Sequence, residues 1–274
     1  MSAEICPCTI GAGARLAPLG LILLLLACRP APPPSLRDQG AIIRGDAGRR
    51  ALALIFTGGD FADGGPHIRQ VLARKGIRAG FFFTGEFYRD PARAGLIGDL
   101  VRDGHYLGPH SDKHLLYAPW ERRDSTLVTR AQFSADLLAN YQAMAPFGLP
   151  NYAERYFIPP YEWYNQDHVA WAAAAGVTLF NFTPGTGSNA DYTTPDMPGY
   201  RSSQAIMDAI RAYEKKDPCG LNGFLLLIHI GTDPRRTDKF YLRLEELIDL
   251  LQQKGYTLVR VDTLLGHANA KRRL

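Results

Sequence analysis

This chain contains little cysteine and has only a small net charge. Only four of its 274 residues are cysteines, and Cys6, Cys8 and Cys28 all lie near the N-terminus. The remainder contains only Cys219, in a Pro/Gly-rich turn, so an intrachain disulfide framework is excluded there. The 31 basic and 27 acidic residues nearly balance. Because the only basic block is the short KRR at 271–273, nucleic acid is not an expected partner.

Long hydrophobic runs are also lacking, and the longest one lies at the N-terminus. It covers residues 16–27, follows Arg15, and is too short to span a bilayer comfortably. Its length and flanks are typical of a signal peptide, and its end, Leu-Leu-Ala-Cys28, resembles a bacterial lipobox. That resemblance implies cleavage before Cys28 and lipidation of its thiol. An ordinary signal peptide or an uncleaved anchor remains an alternative.

The chain is expected to divide into four segments of different character. Residues 1–27 are the predicted lipoprotein signal peptide, and the proline-rich residues 28–47 are a predicted extended tether. Residues 48–267 are long enough for one α/β domain with a substantial core, and residues 268–274 form a basic tail. The protein is therefore expected to be exported and anchored to a bacterial membrane through Cys28.

Apolar runs alternate with amphipathic stretches from residue 51 onward, which predicts repeated βα units around a parallel sheet. The predicted strands are 51–57, 78–85, 105–111, 155–160, 177–182, 223–229 and 257–261. The predicted helices are 67–75, 93–103, 129–144, 167–176, 203–216 and 238–255. Several of these helices are followed by a glycine at the expected stop position.

Polar residues that can carry chemistry follow the predicted strands. Asp60 follows the first, His110 and His114 the third, Glu162 the fourth, and His229 ends the sixth. The carboxyl ends of parallel strands share one rim, so these side chains are expected to converge. Two histidines at i and i+4 on one helical turn can also bind the same metal ion.

Several motifs resemble those of the NodB-homology polysaccharide deacetylases, the fourth carbohydrate esterase family. They are FTGGD, GIRAGFFFTG, GHYLGPHSDKH, FIPPYEW, LIH and GYTLVRVDTLL, in the family's order and spacing. The resemblance implies a distorted (β/α)7 barrel. It also implies a metal-dependent hydrolase that removes acetyl groups from a polysaccharide.

The resemblance assigns roles to four residues. Asp60, His110 and His114 match the ligands of a divalent metal, expected to be zinc, with cobalt or nickel as alternatives. His229 matches the general acid that protonates the leaving amine or alkoxide.

Two positions depart from the family pattern. Gly59 stands where the family has its catalytic base, and Ile158 stands where it has the arginine that pairs with that base. Losing both together is physically consistent, because an arginine without its carboxylate would be an unpaired buried charge. Asp63 and Glu162 are the candidate replacement bases, with Asp112 third.

Aromatic residues lie close to these positions in the sequence. Trp120 and Tyr192 flank the predicted site, and Tyr161, Trp163 and Tyr164 surround Glu162. Sugar-binding clefts use such rings to stack on pyranose faces, so Tyr161, Trp163 and Tyr164 are predicted to contact substrate.

Two main functions remain open from the sequence. One is a lipid-anchored deacetylase acting on an acetylated polysaccharide, through an amide or an ester. The other is a carbohydrate-binding lipoprotein that keeps the barrel and the metal but has lost its base. A metal-dependent amidase with a non-sugar substrate is a more distant third. No obligate protein partner is evident from the sequence.

Overall fold

The computed structural model describes residues 35–150, 153 and 155–270, with side chains described as far as residue 266. The predicted signal peptide, Cys28 and the end of the basic tail lie outside these residues. None of the described helices is long and apolar enough to cross a membrane.

Nine strands and eight α-helices make up the described chain, with short 3-10 turns between some of them. The strands are β1 (Arg37–Asp38), β2 (Ala41–Ile42), β3 (Ala51–Gly58), β4 (Gly80–Phe83), β5 (Tyr106–Pro109), β6 (Tyr156–Phe157), β7 (Thr178–Leu179), β8 (Leu225–His229) and β9 (Thr257–Leu258). The helices are α1 (Gly65–Lys75), α2 (Gly85–Arg89), α3 (Ala94–Arg102), α4 (Arg130–Met144), α5 (Gln166–Ala174), α6 (Ser203–Lys216), α7 (Leu244–Gln253) and α8 (Val261–Ala270).

Strand β3 is the centre of the parallel sheet, and all eight of its residues are buried. The order is β5-β4-β3-β8, and β9 pairs with the beginning of β3. A continuous apolar run such as ALALIFTG suits a strand that is covered on both faces. The sheet therefore packs against helices on its outer side and against the barrel interior on the other.

Side chains complete the barrel where the strand ladders stop. Between β5 and β6, the Tyr156 amide donates to the Tyr106 hydroxyl at 2.8 Å. On the far side, Thr183 joins the segment after β7 to β8. Its amide donates to the Leu225 carbonyl at 2.9 Å, and its hydroxyl accepts from the Leu225 amide at 2.9 Å. The result is the distorted α/β barrel that the sequence predicted.

All seven predicted strands and all six predicted helices are present, with boundaries that differ by up to six residues, and every predicted strand except β3 is shorter than expected. Strands β1 and β2 and helices α2 and α8 were not predicted. The predicted tether was wrong in its second half, because Ala41 and Ile42 are fully buried and Ile42 bridges to Phe180. The folded domain thus begins before residue 48.

Candidate active site

The site lies at the carboxyl ends of β3, β5, β6 and β8, as the sequence predicted. His110 follows β5, and its backbone amide donates to the Asn140 side-chain oxygen of α4 at 2.9 Å. The ring Nδ1 lies 2.9 Å from the Ile158 carbonyl, to which it donates when it carries the proton. This bond fixes the tautomer and leaves Nε2 available as a ligand atom. Burial lowers the pKa of His110 well below its usual range, so the ring is neutral at neutral pH.

His114 reaches the same place from a loop. The prediction that both histidines share one helical turn was wrong, because residues 110–117 form no helix. Ser111 and His114 have positive φ angles of 68° and 53°, and the rings still meet with centroids 5.0 Å apart. Burial lowers the pKa of His114 to about 4, opposed by the charge of Asp60.

Helix α4 holds this loop in its irregular shape. The buried Asp136 carboxylate accepts the backbone amides of Asp112 and Lys113 at 3.0 and 3.1 Å. The buried Asp112 amide would otherwise have no partner, so α4 supplies the acceptor that the loop backbone itself does not provide.

The implied metal fits the histidines better than it fits the complete predicted ligand set. Two neutral imidazoles side by side are suitable ligands, and Asp60 is near enough to affect the charge of His114. Asp60 itself is exposed, and its carbonyl accepts a hydrogen bond from Arg93 at 2.7 Å. Within the described residues, no three His, Cys, Asp or Glu side chains are grouped closely enough to hold an ion.

His229 and Asp191 form a tight pair at the end of β8. The ring Nδ1 lies 2.6 Å from one oxygen of Asp191, and the His229 amide donates to the other oxygen at 2.9 Å. Although burial opposes protonation, the Asp191 carboxylate outweighs it and raises the pKa of His229. Asp191 is fully buried, so it holds the imidazole in one orientation and favours its protonated form.

Glu162 occupies the facing loop in a strained backbone conformation. Tyr161 and Glu162 have φ angles of 57° and 51°, unusual for residues other than glycine. Burial raises the pKa of Glu162 to about 7, with smaller effects from His229 and Asp191. A carboxyl group that titrates near neutral pH, next to a histidine whose protonated form is favoured, is a suitable general base.

The other two candidate bases are engaged elsewhere. Asp63 accepts from the Tyr241 hydroxyl at 2.6 Å and from the Thr232 amide at 2.9 Å, and it pairs with Lys239 at 3.2 Å. Although burial opposes it, this set of bonds lowers the pKa of Asp63. A carboxylate held in this way is a weak base, and its role is to tie the turn after β3 to the loop after β8.

The Asp112 carboxylate is also held by hydrogen bonds. It receives two hydrogen bonds from the Arg89 guanidinium, at 2.6 and 3.1 Å. Its side chain is nearly buried under that contact. Of the three candidates, only Glu162 has a carboxylate without a hydrogen bond among the described residues.

Two of the three predicted substrate-contacting aromatic residues lie at the surface of the site. Tyr161 is 45% exposed and its ring lies 4.3 Å from that of His114. Trp163 is partly exposed beside Trp120. The prediction for Tyr164 was wrong, because it is fully buried in an apolar cluster and its hydroxyl donates to the Asp38 carbonyl at 3.3 Å.

Gly59 and Ile158 leave an apolar gap where the family has a base and an arginine. A Cβ added at Gly59 would meet only Thr84 Cγ2, at 3.5 Å, an ordinary contact. Ile158 is fully buried in the interior cluster beside Phe82 and Phe180. Gly59 therefore has room for a Cβ, and Ile158 offers no charge that could pair with a carboxylate there.

Sequence reasoning missed Asp191 and Asn140. Asp191 lies in the loop after β7, and Asn140 lies inside a predicted helix with no unusual pattern. Asp191 could have been predicted, because it is an aspartate in a loop that follows a strand. The sequence around Asn140 gives no sign of its role, because that role depends on the packing of α4 against β5.

Comparisons with known proteins agree with this geometry. A sequence model described as polysaccharide deacetylase matches residues 44–180. A family 4 carbohydrate esterase pseudoenzyme from Bacillus anthracis superposes with a TM-score of 0.64 at 16% identity, covering 84% of this chain and 70% of that protein. PdaA from Bacillus subtilis, a family 4 carbohydrate esterase, gives a TM-score of 0.61 at 19% identity, covering 84% and 86%. A family 4 carbohydrate esterase from Streptomyces lividans gives 0.55 at 19% identity, covering 76% and 91%.

Proposed function

Because the chain belongs to the polysaccharide deacetylase family, a family of hydrolases, we propose that it removes N- or O-linked acetyl groups from a polysaccharide. The observation that carries this proposal is the Asp191–His229 pair, with its 2.6 Å contact, next to Glu162. A protein that only binds sugar has no need for an acid and a base that influence each other's charge across one cleft.

Two side chains would move the protons in this reaction. Glu162 in its ionised form takes a proton from the attacking water. His229, protonated and oriented by Asp191, gives a proton to the leaving amine or alkoxide as the acetyl bond breaks. Each of these two groups favours the charged form of the other, which is the form that each role requires.

We infer that a divalent metal, zinc with cobalt or nickel as alternatives, belongs to this site. His110 and His114 would hold it, whereas Asp60 is not grouped closely enough with them to serve as a third ligand in this structure. When bound, the ion polarises the acetyl carbonyl and acidifies water. The support is the neutral state of both imidazoles and the fixed tautomer of His110.

We also propose export and lipid anchoring through Cys28. The support is the apolar run 16–27 and the Leu-Leu-Ala-Cys28 sequence at its end. A protein anchored in this way would meet its substrate, an acetylated polysaccharide, at the cell surface.

Acetate release tests the proposal directly. The full chain, loaded with zinc, is incubated with N-acetylated chito-oligosaccharides, peptidoglycan glycan, acetylated xylan and a chromogenic acetyl ester. We expect release from at least one of these, a loss of about 100-fold or more in Glu162→Gln and His229→Ala, and little loss in Asp63→Asn. Activity retained in Glu162→Gln but lost in Asp63→Asn would assign the base to Asp63.

A non-catalytic carbohydrate-binding protein is the second candidate, and Gly59 and Ile158 are the observations that favour it. It predicts glycan binding without acetate release from any substrate by the zinc-loaded wild type. That result would replace the hydrolase proposal.

A further inference from the structure

We propose that Arg236 is a positioning residue for the candidate general acid, because it fastens the loop that carries Asp191 to the loop after β8. This role deepens the proposed function, since it bears on turnover only if His229 is the acid. The contact between His229 and Asp191 that Arg236 maintains is present whether or not a substrate is turned over. A signal from that contact can therefore test Arg236 independently of activity.

Arg236 is buried in a way that its immediate surroundings do not explain. It has the largest of the fully buried side chains in the described structure, and its Nε has no hydrogen-bond partner among the described residues. A guanidinium stays charged inside a protein, and burying one without a carboxylate partner is costly. Within the described part of the chain, the other two nitrogens bond to backbone carbonyls and not to a carboxylate. A charge buried in this way indicates a role for those hydrogen bonds.

The Arg236 guanidinium joins two loops of the candidate active site. Nη1 donates to the Thr193 carbonyl at 2.6 Å, and Nη2 donates to the Arg201 carbonyl at 3.0 Å. Both carbonyls belong to the loop between β7 and α6, whereas Arg236 belongs to the loop between β8 and α7. The Tyr200 ring packs 5.3 Å from the guanidinium carbon. Segment 193–201 is thus held at both of its ends by one rigid, planar group.

A short series of hydrogen bonds leads from Arg236 to Asp191. The Thr193 amide and hydroxyl both donate to the Ala190 carbonyl, at 3.0 and 2.6 Å, and close a tight turn around Asp191. Arg236 holds the carbonyl at the end of that turn. Asp191 accepts the His229 backbone amide and contacts the His229 ring. Arg236 therefore fixes the point from which Asp191 orients the imidazole.

The sign of the electrostatic effect separates the bonds of Arg236 from its charge. Burial and, more weakly, the charge of Arg236 lower the pKa of His229, whereas Asp191 and Glu162 raise it and prevail. The positive charge of Arg236 thus works against the protonated form that an acid needs. Arg236 assists His229 through its hydrogen bonds, so a variant that keeps the charge and loses the two-carbonyl bridge is the informative one.

Proton NMR of the full chain tests this role. The proton between His229 Nδ1 and Asp191 lies in a short, charge-assisted hydrogen bond, which gives a resonance far downfield of ordinary amide protons. Its disappearance in Asp191→Asn assigns the resonance. Arg236→Lys keeps the charge but cannot bridge both carbonyls, so we expect the resonance to broaden strongly or vanish. We also expect kcat to fall about 10-fold with KM unchanged, because the acid is misoriented while the substrate still binds.

Arg235→Lys is the matched control for this experiment. Arg235 is the neighbouring residue, its side chain is 61% exposed, and it links the same two loops through an ion pair with Asp196 at 3.3 Å. Exposed ion pairs contribute little, so this variant should keep both the resonance and the wild-type kcat. Thr193→Val is a milder second variant, which removes the hydroxyl bond to Ala190 and should also broaden the resonance.

The positioning role is wrong if Arg236→Lys keeps a sharp downfield resonance, or if Arg235→Lys loses it to the same extent. If circular dichroism shows that Arg236→Lys does not fold, Thr193→Val decides, and an unchanged resonance there contradicts the role.

Failure of the hydrolase proposal gives a different result. A wild type that shows the resonance but releases no acetate, together with loss of the resonance in Arg236→Lys, supports the positioning role and removes the hydrolase. Acetate release at the wild-type kcat by Arg236→Lys removes the positioning role alone.

Discussion

Glu162 combines a strained backbone, a partly buried side chain and a raised pKa. Its pKa of about 7, raised by burial from 4.5, means that the folded protein holds this proton more tightly than the unfolded chain does. The resulting stabilisation is complete below about pH 4.5 and is lost as the pH rises through 7. At higher pH the folded protein carries a charge that it solvates poorly.

The first prediction is that Glu162→Gln raises the free energy of unfolding at pH 8 by about 2 kcal/mol relative to its effect at pH 4. Urea denaturation of wild type and variant at both pH values measures this difference. Equal effects at the two pH values would show that Glu162 is solvated normally. At pH 8 the Glu162→Gln variant should thus be more stable than wild type but less active, as is expected when a residue serves function at a cost in stability.

Asp191 gives a second prediction at this scale, about the pH dependence of activity. It raises the pKa of His229, so Asp191→Asn should lower that pKa. A general acid must be protonated to work, and the high-pH limb of the kcat/KM profile should therefore move to lower pH. The maximal rate should also fall by 100-fold or more, because the imidazole loses its fixed tautomer. A lower rate with an unmoved profile would contradict the role of Asp191. NMR titration of the His229 ring provides an independent reading.

At the level of elements, α4 supports the histidine loop from outside the barrel. Asp136 accepts the Asp112 and Lys113 amides, and Asn140 accepts the His110 amide. The third prediction is that Asp136→Ala lowers the free energy of unfolding by about 2 kcal/mol, because the buried Asp112 amide and the partly buried Lys113 amide lose their acceptor. Denaturant titration measures the loss. The control Asp208→Ala, on the exposed face of α6, should change stability by less than about 0.5 kcal/mol.

Sequence periodicity predicted those elements that have a regular pattern. The apolar run of β3 and the amphipathic α6 are each present at nearly the predicted boundaries. Strand β2 was read as part of a tether because two apolar residues after a proline-rich stretch show no period, and only Phe180, far along the chain, makes Ile42 a barrel residue. The spacing of the two histidines predicts a helical turn. Spacing alone does not reveal that the loop amides are bonded to the Asp136 side chain, which allows the segment to be a loop.

At the scale of the whole molecule, the site joins residues that are up to about 170 positions apart. The motifs predicted which strand ends would meet, because parallel strands leave their carboxyl ends on one rim. They did not predict that Asp63 would be bonded to Tyr241 or that Tyr164 would be buried. Those outcomes depend on the loop after β8 and on the packing of the N-terminal strands, neither of which has a local signal.

Metal binding gives the fourth prediction and belongs to the whole protein, because a ligand that binds only the folded state stabilises all of it. Zinc at 100 times its dissociation constant should add about 2.7 kcal/mol to the free energy of unfolding, reversed by a chelator. His110→Ala should abolish both the stabilisation and the uptake of zinc measured by calorimetry. If zinc leaves the wild-type melting temperature unchanged, the histidine pair is not a metal site.

The hydroxyls of Tyr106 and Thr183 occupy places where a continuous barrel would have strand-to-strand ladders. One hydrogen bond at Tyr106 and two at Thr183 are fewer than a strand ladder supplies, so we expect the wall that carries β6 and β7 to open more readily than the β5-β4-β3-β8 sheet. Ile158 and Glu162 are attached to that wall, so the cleft would widen for a bulky chain along one side only. In amide exchange, β6 and β7 should lose their protons well before β3.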